Sequence, residues 1–210
     1  MAAKTEVKQY KNLQYVIRYP ENFNEENKYP AILALHGAGS RGNDINIIRN
    51  GVFLKQMPAD APFIAILPQC FAEDTWFSIF EQLIDFTAAM RTLEFVDTDR
   101  FYLIGHSMGG YASWQLAMTK PEWFAAVVPI CGGGMSWNAD RLKNVPLWAF
   151  HGTLDEVVRI YESIDMVNAV NRSGGHAKLT VYDNAAHDSW TETYANPEVY
   201  QWLLKHRKKK

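Results

Sequence analysis

The chain has 210 residues, 48% of them hydrophobic and 13% aromatic, which suffices for one sizeable core and falls short of two independent domains. Lysine and arginine total 21 against 23 aspartate and glutamate, so no overall field points to nucleic acid or an anionic membrane as partner. No stretch approaches the ~20 apolar residues of a membrane span, and "MAAKTEVKQYKNLQY" lacks the apolar core of a secretory signal. Cys70 and Cys131 form neither a CxxC pair nor a disulfide framework, so structural disulfides and metal sites are poor readings. The expectation is one cytoplasmic domain spanning 1–210, with two buried free thiols and neither metal nor cofactor.

In chain order, "VKQY" and "LQYVIRY" flank Lys11-Asn12 and predict an antiparallel hairpin. Short apolar runs follow at 30–37 ("PAILALHG"), 63–67, 101–105, 125–130, 147–152 and 177–182, the pattern of strands buried on both faces of a parallel sheet. Between them, 45–56, 79–92, 108–119, 159–173 and 197–205 read as helices. In the second of these, Ile79, Leu83, Phe86 and Met90 recur at helical spacing and make a core face. The alternation predicts an α/β fold with a mostly parallel central sheet and helices on both faces. The basic end "KHRKKK" reads as a solvated, frayed terminus.

In open α/β sheets, ligands collect outside the carboxyl ends of the strands. Ser107 stands there, just past "FYLI", inside "GHSMGG". Gly105 and Gly109 complete G-x-S-x-G, the spacing at which a sharp strand-to-helix turn tolerates no side chains in its arms. On its own the pentad also suits a serine that merely caps a helix.

A serine hydroxyl needs a base before it attacks at neutral pH, so the histidines decide between the two. His106 is the chain neighbour of Ser107 and projects elsewhere. His36 and His151 end earlier strands, His176 precedes the strand at 177–182, roughly 20 Å from the carboxyl edge, and His206 lies in the basic tail. His187, in "DNAAHDSW", combines the carboxyl edge with a loop. The carboxylate that orients it is Asp155, in "HGTLDEVV" after the preceding strand. Asp183 and Asp188 are weaker alternatives, Glu156 points elsewhere, and Asp140 lies too far along its loop.

The order Ser107, Asp155, His187 is that of the nucleophile-elbow hydrolases. A developing oxyanion needs backbone donors, and these are expected from Met108, the residue after the nucleophile, and from Ala38 in "HGAGSRG", with Gly39 as alternate. His36 reads as a brace for that loop, and Arg41 as a solvated loop cation.

On "LALHGAGSRG", "GHSMGG", "HGTLDEVV" and "AAHDSW" the chain resembles the α/β-hydrolase superfamily over nearly its whole length. "ILPQC", "PICGGG" and "HDSWTETYANPEVYQWLL" are similar to the phospholipase/carboxylesterase-type branch, which includes predicted peptidases and acyl or feruloyl esterases. The resemblance implies the fold and ester hydrolysis without choosing the acyl group; the expected reaction runs through an acyl-serine on an accessible acetyl, short aliphatic or hydroxycinnamoyl ester, small or linked to a polysaccharide. A small-peptide hydrolase, an acyl-thioesterase or lysophospholipase, and a ligand-binding protein on a hydrolase fold are the alternatives. Only 16 residues separate Ile130 from Leu147, which leaves no room for a large lid. Trp76 and Trp137, and more weakly Trp190, are candidates for an aromatic rim around the substrate.

Overall fold

The computed structural model describes residues 3–208. Its strands are β1 (Thr5–Tyr10), β2 (Leu13–Arg18), β3 (Tyr29–Leu35), β4 (Ile64–Pro68), β5 (Val96–His106), β6 (Ala126–Ile130), β7 (Leu147–Gly152) and β8 (Ala177–Tyr182). They form one sheet in the order β1-β2-β4-β3-β5-β6-β7-β8. β1 and β2 pair antiparallel, β2 joins β4 antiparallel, and every pairing from β4 to β8 is parallel. The hairpin turn falls where expected, with Lys11 in the left-handed region at φ 53°.

The helices are α1 (Asn46–Arg49), α2 (Val52–Gln56), α3 (Phe80–Arg91), α4 (Met108–Thr119), α5 (Tyr161–Arg172), α6 (Trp190–Ala195) and α7 (Pro197–Leu204). The period-2 alternation of the strands divides their side chains between two cores. Leu33, Phe101 and Leu103 pack under α3, α4 and α5 with Phe86, Trp114 and Met166. Ile32, Tyr102 and Ile104 face the opposite side with Phe53, Tyr194 and Leu203. Each such fully buried apolar side chain stabilises the fold by about 1.5–3 kcal/mol before entropy is counted. Among the described residues no helix is long and apolar enough to cross a membrane.

Two readings need correction. The helix expected over 45–56 is two, because Gly51 leaves the helical region at φ −74°, ψ 168° and becomes the N-cap of α2. The basic end is docked as far as it is described: the Lys208 amide donates to Asp99 O at 2.9 Å, and Arg207 pairs with Asp97 and Asp99. The last two lysines of the tail lie outside the described residues. The six-residue α6 is too short to show a period in the sequence, while Asn196 caps α7 through the Glu198 amide with Pro197 at its first position.

β3 lies between β4 and β5, so the chain winds away from it in both directions. That reversal opens a crevice at the carboxyl ends of β3 and β5. The loops leaving these two strands are "HGAGSRG" and "GHSMGG".

Candidate active site

Ser107 joins β5 to α4 with φ 54° and ψ −120°, a strained conformation for a residue with a side chain. The turn is held by the Ser107 amide donating to Ile130 O at 3.0 Å and by the Tyr111 amide donating back to Ser107 O at 3.0 Å. Its tightness explains the flanking glycines: a Cβ on Gly105 would lie 2.3 Å from Gly109 O, and one on Gly109 would lie 2.1 Å from Leu35 O. The strain thus presents the serine hydroxyl at the crevice, and the glycines allow it.

The loops after β7 and β8 bring the other two groups. They lie so close that a Cβ on Gly152 would meet Ala185 O at 2.3 Å, and the Leu154 amide donates to the same oxygen at 2.9 Å. Asp155 Oδ1 accepts the amides of Val157 and Val158 at 2.9 and 2.8 Å, which fixes the carboxylate. Its Oδ2 lies 2.7 Å from His187 Nδ1, and His187 Nε2 lies 2.9 Å from Ser107 Oγ. Because a carboxylate only accepts, His187 carries its proton on Nδ1, and the Nε2 lone pair faces the serine hydroxyl. The Asp155 side chain is wholly buried and the His187 ring one-fifth exposed, so solvent reaches the base but not its partner.

The alternative acids are elsewhere. Asp188 accepts from the Thr191 amide and hydroxyl at 3.0 and 2.9 Å, which caps α6. Asp183, Asp140 and Glu156 are exposed.

Met108 is the first residue of α4, and Ala38 is the first of a short 3-10 turn, Ala38–Ser40. At such positions the amide has no acceptor within its own helix. The two loops touch: a Cβ on Gly37 would lie 3.3 Å from Ser107 Cβ. Both amides are therefore available at the edge of the serine. Arg41, read as solvated, instead clamps this loop, donating to Ala38 O at 3.0 Å and to Asp74 O at 3.1 Å.

Two buried histidines brace the same loop. His36 Nε2 accepts the Cys70 amide at 2.9 Å, so its Nδ1 donates to Gly37 O at 2.7 Å. His106 Nε2 accepts the Gly37 amide at 3.1 Å, so its Nδ1 donates to the Tyr194 hydroxyl at 2.8 Å. Burial pushes His36 down to about 4 and His106 down to about 3, which keeps both neutral. The unfolded chain binds protons that these rings refuse, so their contribution to stability is full above about pH 6.5 and falls away as pH drops toward 4. Thermal unfolding at pH 7.5 and 4.5 is expected to show a lower midpoint in acid. A His106→Gln variant, less stable at pH 7.5, should show a shallower fall; an equally steep one would remove His106 from this account.

The tryptophans divide. Trp76 is fully buried and is not part of a rim: its Nε1 donates to His36 O at 3.0 Å and its ring lies 4.9 Å from the His36 ring. The loop carbonyl needed a buried donor, and the indole supplies it. Trp190 braces the base, edge-on to His187 at 5.1 Å and tilted against His106 at 4.6 Å. Trp137 is 79% exposed on the turn that follows β6.

Beside the elbow a cavity of about 450 Å³ opens between Phe77, Phe80, Tyr111, Gln115 and Met135. Tyr111 sits one helical turn beyond Ser107 and forms its near wall. Cys70 and Cys131 are both buried and free. The Cys131 sulfur, Asp155 and His187 offer ligand atoms within 4.8 Å of one another, but burial pushes the thiol up to about 12 and the other two are committed to their own hydrogen bond.

Residues 24–201 match the dienelactone hydrolase family model. The chain belongs to the dienelactone hydrolase family. Feruloyl esterase D of Neurospora crassa is 28% identical over 163 residues, 71% of this chain and 56% of that protein. A bifunctional acetylxylan esterase/xylanase of Neocallimastix patriciarum is 26% identical over 147 residues, 65% of this chain and 20% of that one. A thermostable esterase of known structure superimposes with a TM-score of 0.85 at 30% identity, covering 99% of this chain and 64% of the esterase. The chain thus spans little more than half of its curated feruloyl esterase relative. Its fold is that of the α/β-hydrolases, and among the described residues no large domain is inserted.

Proposed function

We propose that this dienelactone hydrolase family member is a serine carboxylic ester hydrolase whose acyl pocket takes a hydroxycinnamoyl group. The observation that carries the reading is the unbroken relay from Asp155 Oδ2 through His187 to Ser107 Oγ, at 2.7 and 2.9 Å.

Ser107 Oγ attacks the ester carbonyl carbon while its proton passes to His187 Nε2. The carbonyl π pair moves onto oxygen, where the Met108 and Ala38 amides receive it. Collapse expels the alkoxide, which takes the proton from His187 and leaves as the alcohol. Water then attacks the acyl-serine with His187 as base, and the carboxylic acid departs as the serine regains its proton.

An acetyl group is too short to use more than the mouth of the adjoining cavity, whereas a phenylpropenoyl group extends along its apolar wall of Phe77, Tyr111 and Met135. The name of the Neurospora feruloyl esterase supports a hydroxycinnamoyl acyl group, and that of the acetylxylan esterase supports an ester carried on a polysaccharide. The acetylxylan esterase name also favours a second reading, acetyl release, with the cavity holding sugar instead.

A panel of methyl hydroxycinnamates, acetyl esters, long aliphatic esters, thioesters and peptide amides separates these. The expected result is a kcat/KM for hydroxycinnamates at least ~10-fold above acetyl esters, and lowered selectively by Phe77→Ala. Acetyl turnover equal to or above it would replace the first reading with the second, and peptide turnover outpacing both would overturn each.

A further inference from the structure

His151, the penultimate residue of β7, is wholly buried and is not one of the triad residues. Its Nε2 lies 2.8 Å from Val158 O and 3.2 Å from Asp155 Oδ2, the same carboxylate oxygen that binds His187. Carbonyl and carboxylate oxygens only accept, so Nε2 carries a proton; it is directed at Val158 O, and the same N–H edge of the ring lies against Asp155 Oδ2. On the other side of the ring, Nδ1 lies 2.8 Å from Ser163 Oγ on α5, which is also 2.9 Å from Gly132 O. The serine has one proton for two acceptors, and with a neutral imidazole it serves Nδ1.

We propose that His151 is a positioning residue for the triad: a second histidine whose Nε2–H edge lies against Asp155 Oδ2, fixes the carboxylate toward His187 and takes up part of its charge. The proposal rests on the triad reading given above. Packing alone would be met by an apolar side chain at this site, since burying an imidazole is costly unless both nitrogens are satisfied. Here both are satisfied, and the Nε2–H edge also lies against the carboxylate that the base depends on.

The consequence is electrostatic. During acyl transfer His187 becomes an imidazolium held by Asp155. A neutral N–H edge against the same oxygen disperses the carboxylate charge, so the imidazolium is held less tightly and gives its proton to the leaving alcohol more readily. The titratable groups acting on His151 are Asp155 from the loop after its own strand and His187 from the loop after β8; α5 presents the Ser163 hydroxyl. Burial holds the His151 imidazole below its ordinary range against the pull of Asp155, in keeping with a neutral donor.

The test is the pH profile of kcat/KM on a p-nitrophenyl ester for wild type, His151→Leu and His151→Gln. Leucine removes the donor, so kcat should fall ~10- to 100-fold with KM within ~2-fold, and the acidic limb should move to higher pH by about half a unit. Glutamine, whose amide can reach the Nε2 position, should return the limb to the wild-type pH and restore most of kcat. An acidic limb that stays in place in folded His151→Leu, while kcat and the unfolding midpoint fall, would make the role structural only.

Should the leucine variant not fold, nitrogen-15 histidine spectra of the wild-type protein decide. His151 is expected as the Nε2–H tautomer, with a resonance that moves when a fluorophosphonate occupies Ser107. A proton on Nδ1 instead, or an unmoved signal in a protein that carries the adduct, would overturn the proposal. These spectra need no turnover, so their outcome stands apart from whether the esters are substrates.

Discussion

Replacing Ser107 with alanine is expected to lower kcat/KM on the preferred ester by ~10⁴-fold or more, with KM and the unfolding midpoint close to wild type. The side chain is lost, but the bend survives: the Ser107 amide still donates to Ile130 O, the Tyr111 amide still donates to residue 107, and Gly105 and Gly109 still leave the arms room to approach. Turnover should collapse because the attacking atom is gone: Ser107 Oγ lies 2.9 Å from His187 Nε2, on the line to Asp155. The residual rate would come from the amides of Met108 and Ala38 and from substrate binding. Matched circular dichroism and melting curves check that the protein is folded, and a variant retaining a tenth of wild-type turnover would show that attack is made from another group.

Asp155→Asn is expected to cost as much, ~10⁴-fold in kcat, for a different reason. Asparagine is nearly the same shape, and its Oδ1 can still accept the Val157 and Val158 amides. The amide NH₂ then takes the Oδ2 position and faces His187 Nδ1. Two donors cannot meet, so Nδ1 must become the acceptor and the proton moves to Nε2, where it blocks acceptance of the serine proton. The same NH₂ also meets the Nε2–H of His151, which leaves that buried proton with Val158 O alone. Wild-type turnover in this variant would move the orienting role away from Asp155, although Asp188 is committed to the cap of α6 and Asp183 is exposed.

The parts of this site that could be read from the sequence are those with a local signature at a strand end. Ser107 announces itself through glycines whose spacing the bend demands, and Asp155 and His187 follow from the rule that reacting groups collect at the carboxyl edge of a parallel sheet. The sheet was legible for the same reason: strands buried on both faces are unbroken apolar runs. What could not be read depends on partners far away in the chain. Trp76 looked like a rim residue because nothing nearby says that a loop carbonyl, His36 O, would need its indole N–H.

In the sequence His106 is no more than the neighbour of the serine, yet its two nitrogens tie Gly37 to Tyr194, a residue 88 positions on. His151 read only as a strand end, since its approach to Asp155 Oδ2 depends on how the loop after β7 curls back. The helix expected over 45–56 broke at Gly51 because apolar periodicity continues across a residue whose backbone does not. The docked tail has a similar cause: a lysine-rich end carries no signal that Asp97 and Asp99 will be waiting at the start of β5.

The central claim is that Ser107 is a nucleophile activated by His187 and Asp155. Its most direct test is covalent labelling with a fluorophosphonate, followed by intact-mass measurement and peptide mapping. One adduct per chain, on Ser107, with esterase activity lost in proportion to labelling and no adduct on Ser107→Ala, is the predicted result. No adduct on folded wild-type protein, or an adduct at another residue with activity unchanged, would contradict it.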